Sequence, residues 1–246
     1  MDQDTLIPPL ALITGAARRL GAAMAVTLAR QGYAIALHYY QSANTALTLA
    51  ANIREAGVPV YTFNADLTRE DEINHLFNAV ADLPNRLHVL VNSAAVMHPG
   101  RLDELSGHEW DGVMALNLKA PFLCTQRAIP LMEKGKSSVI NIIDAGWEKV
   151  WTGYGAYIVS KAGLESLTRL QARTYAPGIR VNGIAPGLIL PPDDMSDVAW
   201  QKLVDRIPLN RSGTLDEICQ VLIFLLEATY MTGQIIYMDG GFRLVG

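Results

Sequence analysis

From residue 10 onward, short apolar runs alternate with amphipathic stretches, and few architectures accept that order. The runs Leu10–Thr14, Ala34–Tyr39, Val58–Asn64, Val89–Asn92, Val139–Ile143, Arg180–Ile184 and Ile235–Met238 read as strands. Helical patterns lie between them, near 19–31, 43–56, 69–82, 107–133, 154–175 and 214–228. Parallel neighbours need crossover connections, and right-handed crossovers put helices on both faces of the sheet. The expected fold is therefore α/β, a doubly wound parallel sheet. No Pro/Gly/Ser-rich linker, charge block or internal repeat interrupts the pattern, so residues 1–246 read as a single domain.

Composition removes several function classes. Half the residues are hydrophobic and 18% are charged, which excludes a disordered chain. A formal charge of −4 leaves no electrostatic footprint for nucleic acid. No apolar run reaches the ~18 to 20 residues that span a bilayer. The first residues carry Asp2 and Asp4 but no cationic segment, so no export or transit signal is expected. Cys124 and Cys219 lack metal-ligand spacing and fall in helical patterns; they are expected to be reduced core residues of a cytoplasmic protein without a metal site.

Several strand ends carry residues suited to a ligand. Thr14-Gly15-Ala-Ala-Arg18-Arg19-Leu20-Gly21 stands between the first strand and a helix. Glycines there let the backbone approach a pyrophosphate at a helix N-terminus, or simply make a tight turn. The second strand ends in His38-Tyr39-Tyr40-Gln41-Ser42 without a carboxylate. A free ribose 2′-hydroxyl is usually held by an acid at this place, so NADP(H) is favoured over NAD(H), with Arg18 and Arg19 facing the region. The alternative for these arginines is a solvated helix start. Asp66-Leu67 could meet an adenine or cap the next helix. Asn92-Ser93-Ala94-Ala95 offers small residues for close approach, and Met97 and His98 follow in a loop. Asn117 lies four residues before Pro121, where it serves either to repair a helix kink or to hold a water at an active site. Pro186-Gly187 ends the sixth strand, and Leu188 begins an irregular stretch that reads as a substrate lid near 188–206.

The stretch from Asp144 to Lys161 gathers the chemistry. Asp144 stands at a strand end, and Tyr157 and Lys161 are one helical turn apart on one face. A fixed ammonium would lower the pKa of the phenol toward the range of a working acid or base. Such a pair also occurs by chance on many helices.

Taken together in order, these residues resemble the short-chain dehydrogenase/reductase family over nearly the whole chain. The resemblance implies a Rossmann-type sheet, a nicotinamide cofactor, Tyr157 as proton donor or relay, and Lys161 holding ribose hydroxyls. It implies a water supported by Asn117, and association as a homotetramer through the helices 107–133 and 154–175. Two departures point to a subfamily: Arg19 replaces the usual middle glycine of the turn, and Asp144 replaces the usual serine thirteen residues before the tyrosine. Both are similar to pteridine reductases and bacterial dihydromonapterin reductases, as is the run Leu37-His38-Tyr39 into Ser42. A carboxyl suits the aminopyrimidine edge of a pterin better than a hydroxyl. Gln41 and Met97 depart from that subfamily, which has an arginine and a stacking phenylalanine there. NADPH-dependent reduction of a pterin is thus expected, with Arg19, Met97, Asp144, Tyr157 and Leu188 at the substrate. The alternatives are reduction of a ketone on the same fold, or a non-catalytic cofactor-binding protein.

Overall fold

In the computed structural model, which describes residues 7–193 and 195–245, seven strands form one parallel sheet in the order β3-β2-β1-β4-β5-β6-β7. The strands are β1 (Leu10–Ile13), β2 (Ala34–Tyr39), β3 (Val60–Asn64), β4 (Leu87–Asn92), β5 (Ser137–Ile142), β6 (Ile179–Pro186) and β7 (Ile235–Met238). The helices are α1 (Arg19–Arg30), α2 (Ala43–Glu55), α3 (Glu70–Ala81), α4 (Gly107–Met114), α5 (Ala120–Ala128), α6 (Gly155–Tyr175), α7 (Asp197–Val204) and α8 (Leu215–Glu227). The doubly wound Rossmann-type sheet expected from the sequence is the fold observed. The chain start expected to lack a leader, residues 1–6, and residue 194 of the expected lid lie outside the described residues.

Strand periodicity explains the two cores. In β1, Ala11 and Ile13 face the layer of α1, α2 and α8, while Leu10 and Leu12 face α3 and α5, and all four are fully buried. A strand covered on both faces has no polar side, which is why β1 reads as one apolar run. Truncating one such leucine to alanine is worth about 2–5 kcal/mol.

Two elements depart from the sequence reading. The pattern 107–133 is α4, a π-helical segment Ala115–Lys119, α5 and a final 3₁₀ turn, Ile129–Leu131. Pro121 has no N–H for the carbonyl of Asn117 four residues back, and the Ala120 N–H bonds Ala115, five back. The stretch 188–206, expected to be irregular, contains α7, which the paired prolines concealed; Ser196 caps it by accepting from the Ala199 N–H at 3.3 Å.

The sheet order reverses between β1 and β4, and that switch point opens a crevice at the carboxyl ends of the strands. Thr14 closes its floor: its hydroxyl accepts from the Ser93 and Ala94 N–H groups at 3.0 and 3.1 Å.

Candidate active site

The crevice is a cavity of about 1110 Å³. A single small ligand typically occupies roughly 300–1,000 Å³, so this one has room for an extended dinucleotide and a second molecule. One end is built from backbone. Gly15 has φ +64°, and a Cβ there would stand 2.9 Å from the Ala94 Cα; at Gly21 it would stand 2.4 Å from the Gly15 carbonyl oxygen. The turn therefore passes against β4 with no space for side chains, and the first turn of α1 carries no acid to compete with an anion at its N–H groups. Pro186-Gly187 closes the opposite wall; the Gly187 N–H bonds the Met238 carbonyl at 3.0 Å.

His38 sits beneath this turn. Its Nδ1 accepts from the Gly15 N–H at 3.1 Å, which leaves Nε2 to donate to the Ala65 carbonyl at 3.0 Å. Burial lowers its pKa, and a proton on Nδ1 would break the bond to Gly15. The imidazole is a neutral brace between three strand ends, with both ring nitrogens engaged inside the protein.

Arg19 is held at φ +54°, a left-handed conformation that suits the glycine it replaces. Its guanidinium crosses the cleft, donating to the carbonyls of Leu190 and Pro191 at 3.2 and 2.9 Å and to Asp193 at 3.3 Å. Arg18 is more exposed and approaches Asp193 only to 3.8 Å.

At the other end stand Asp144, Tyr157 and Lys161. The Tyr157 hydroxyl donates to Asp144 Oδ2 at 2.6 Å, and Asp144 Oδ1 accepts from the Gly146 N–H at 2.5 Å. Lys161 is buried and donates to the Ile142 carbonyl at 2.9 Å, with its Nζ 5.7 Å from the phenol ring centroid. Loss of water raises the pKa of the Asp144 carboxyl, against the Tyr157 and Gly146 hydrogen bonds and the charge of Lys161. Burial first, then Asp144, holds the phenol well above its ordinary pKa. Burial pushes Lys161 down to about 8, against Asp144. The sequence reading had Lys161 lower the phenol's pKa. The arrangement does the reverse, because burial raises the phenol's pKa and the group touching the hydroxyl is a carboxylate and not the ammonium. The Tyr157 hydroxyl therefore keeps its proton across the neutral range.

The cleft gathers Gly15, Arg18, Arg19, Leu20, Gly21, His38, Tyr39, Ser42, Asp66, Leu67, Ala94, Met97, Asp144, Tyr157, Lys161, Pro186, Gly187 and Leu188. Asp66 makes a local turn, accepting from the Thr68 N–H at 2.9 Å, and does not cap α3. Asn92 and Asn117 stand apart from the cleft. The Asn92 amide is buried against Thr125 and Asn141. The Asn117 amide clasps the backbone of Val96 through both its oxygen and its nitrogen, each at 2.9 Å, and donates to Ser160. Its side chain fastens the loop 93–98 to α6. His98 pairs with Glu109 at 3.3 Å.

Sequence reasoning passed over a second wall of Val150, Trp151, Tyr154, Trp200, Leu203 and Phe242. Trp147, Trp151, Tyr154 and Tyr157 recur every three or four residues after β5, a signal that could have found it. Val150 is in the left-handed region, φ +53°, where a β-branched residue is strained. That strain turns the chain so that Trp151 packs on Phe242 with ring centroids 6.0 Å apart.

A dinucleotide-sized cleft at a switch point, with a hydrogen-bonded tyrosine and aspartate beside a buried lysine at one end, is the arrangement of a nicotinamide-dependent oxidoreductase. The chain belongs to the short-chain dehydrogenase/reductase family: the family model described as enoyl-(acyl carrier protein) reductase matches residues 15–243. It is 35% identical over 237 residues to the 3-oxoacyl-[acyl-carrier-protein] reductase FabG of Staphylococcus aureus, covering 94% of this chain and 96% of that protein. It superposes on FolM alternative dihydrofolate reductase 1 from Brucella canis, complexed with NADP, with a TM-score of 0.92 at 30% identity, covering 100% of this chain and 98% of that one. For the Brucella suis FolM structure, also with NADP, the TM-score is 0.91 at 31% identity, with 97% and 96% covered. Among the described residues no helix is long and apolar enough to cross a membrane, and no cluster of residues could hold a metal ion.

Proposed function

We propose that the protein uses NADPH to reduce the C=N bond of a pterin, of the dihydromonapterin, dihydrobiopterin or dihydrofolate type, to its tetrahydro form. The observation that carries this reading is the 2.6 Å bond from the Tyr157 hydroxyl to Asp144. Reducing C=N adds a hydride to carbon and a proton to nitrogen. NADPH, when bound, supplies the hydride. Tyr157 and Asp144 hold one proton between them at the mouth of the hydride path, deliver it to the ring nitrogen and recover one from water. Asp144 also offers a carboxyl to the donor edge of an aminopyrimidine. Beside a ketone the same group, when ionised, would oppose the developing alkoxide.

The residues present fit the dinucleotide. The Gly15–Gly21 turn and the α1 N-terminus would hold its pyrophosphate, Lys161 would hold its ribose, and Ala94 and Pro186-Gly187 would flank it. NADP(H) is preferred because no carboxylate ends β2, because Arg18 and Ser42 border that end of the cleft, and because the two Brucella relatives hold NADP. The 188–206 segment is the lid, latched by Arg19.

The identity to FabG favours a second reading, reduction of a 3-oxoacyl ketone. NADPH oxidation followed in parallel with dihydrobiopterin, dihydromonapterin, dihydrofolate and a 3-oxoacyl thioester separates the two. The pterin reading expects turnover with at least one pterin and little with the thioester; the reverse order overturns it. Silence with all four revives a non-catalytic role.

Association as a homotetramer belongs to this proposal. Met114, Leu118, Phe122, Leu167 and Leu170 line an apolar groove of about 730 Å³ across α4, α5 and α6. Phe122 is 41% and Leu170 62% exposed in the single chain. A monomer mass in solution at micromolar concentration would contradict it.

A further inference from the structure

One turn beyond Lys161, α6 carries a carboxylate that the chemistry above does not use. Glu165 is buried; its Oε2 accepts from the Trp147 indole N–H at 3.0 Å and from the Tyr237 hydroxyl at 2.6 Å, and its Oε1 meets Arg169 at 2.6 Å. An ordinary ion pair four residues apart on a helix lies in solvent. Here the arginine side chain is 55% exposed and the acid only 7%, so Glu165 is turned inward toward two neutral donors. A buried acid satisfied by donors from three places fixes them relative to one another.

Trp147 belongs to the 3₁₀ turn Ala145–Lys149, which Asp144 caps. One Asp144 oxygen holds the Gly146 N–H, and the other receives the Tyr157 hydroxyl. The turn has no slack: a Cβ on Gly146 would stand 2.5 Å from the Trp151 ring and 2.8 Å from Asp144 Oδ1. The contacts close a ring from Tyr157 to Asp144, Gly146, Trp147 and Glu165, then back along eight residues of α6, about 12 Å of helix. We propose that Glu165 is a positioning residue: through Trp147 it holds the turn that Asp144 caps, and so fixes the carboxylate against the Tyr157 phenol. This rests on the reading that Asp144 and Tyr157 handle the proton, and not on which substrate receives it.

The test uses the full chain with Glu165→Leu, Glu165→Gln and Trp147→Phe, with NADPH and with 7,8-dihydrobiopterin and a 3-oxoacyl thioester as probes. Glu165→Leu and Trp147→Phe are expected to lower kcat about ten-fold or more, with KM for NADPH changed by less than about two-fold. The alkaline fall of kcat should move to lower pH as water returns to Asp144, which Tyr157 and Lys161 face. Glu165→Gln keeps an acceptor for the indole and should restore most of the rate. The double variant Glu165→Leu/Trp147→Phe should fall no further than the worse single variant. Independently of turnover, the Trp147 indole N–H should exchange slowly with solvent in the unchanged protein and in Glu165→Gln, and fast in Glu165→Leu. A folded Glu165→Leu variant that keeps kcat and its pH profile overturns the proposal, as do equal losses in the Leu and Gln variants or multiplied losses in the double one. Should Glu165→Leu fail to fold, Trp147→Phe and Glu165→Gln decide. Full activity in Asp144→Asn would instead sink the functional reading, with the indole exchange still reporting the ring.

Discussion

At the Tyr157 end of the cleft the wall is made by side chains, whereas at the Gly15 end it is made by the backbone of the turn, with His38 turned into the protein beneath it and Arg19 reaching across. Tyr157, Asp144 and Lys161 bond one another or a neighbouring carbonyl at the cleft wall. His38 spends both ring nitrogens on Gly15 and Ala65, and Arg19 spends its guanidinium on the Leu190 and Pro191 carbonyls and on Asp193. Under the proposed reaction the difference follows from what each end does. Moving a proton needs a group with a shifted pKa held in place, while binding a phosphate needs N–H groups whose positions are set by whatever braces the turn.

Substitution at the proton-transfer end should therefore cost rate, and the largest effect is expected there. Tyr157→Phe should reduce turnover of any substrate by about 10²–10⁴-fold, and Asp144→Ser should do the same to pterin reduction while ketone reduction holds or rises. Steady-state rates with NADPH binding verified check this. Pterin reduction that survives Asp144→Ser while a ketone activity disappears would overturn the assignment of the carboxylate.

At the backbone end the same kind of change should cost stability first. His38→Leu leaves the Gly15 N–H and the Ala65 carbonyl without partners, a loss of about 1–3 kcal/mol for each buried group. The imidazole pKa is lowered in the folded protein, so the unfolded chain takes up a proton that the folded one refuses. Its contribution is complete above the unfolded value of roughly 6.5 and declines as pH falls below it. Urea unfolding between pH 8 and 5 should show that decline in the unchanged protein and less of it in His38→Leu. An identical slope in both would show that His38 does not brace the turn.

The smallest effects sharpen the contrast within that end. Arg18→Ala should narrow the preference for NADPH over NADH by several-fold. Arg19→Gly relieves a left-handed residue, worth about 1 kcal/mol, and frees the lid, so it should raise substrate KM more than it alters cofactor preference. Competition binding with both cofactors decides, and a collapsed preference in Arg19→Gly would show that its guanidinium also serves the phosphate.

How much of this was legible follows the same division. Buried strands write themselves as apolar runs, so β1 to β7 and their parallel pairing could be read with ends shifted by a few residues, whereas their order in the sheet, set by contacts far apart in the chain, came from the structure. Tyr157, Lys161 and Asp144 could be read because their spacing is local. His38 could be placed at the cleft but not given its task, since its partners Gly15 and Ala65 are 23 and 27 residues away. Asn117 stayed open between two roles for the same reason: Val96 and Ser160, which settle what its amide bonds, belong to other elements. The helix α7 was hidden by two prolines just before its serine cap.

The threonine seam between β1 and β4 has a consequence for how the molecule could be divided. The strands on either side of it, β1 to β3 and β4 to β7, are each contiguous in the chain, and only β1 and β4 pair across the boundary. A break in the backbone between α3 and β4 would give two fragments, one carrying the glycine turn and the other the proton donor. Neither piece would hold a whole cleft. Each would be half of the cleft, and the surface along which the halves meet is the β1–β4 ladder, the Thr14 hydroxyl and the packing of α1 on α8 and α3 on α5.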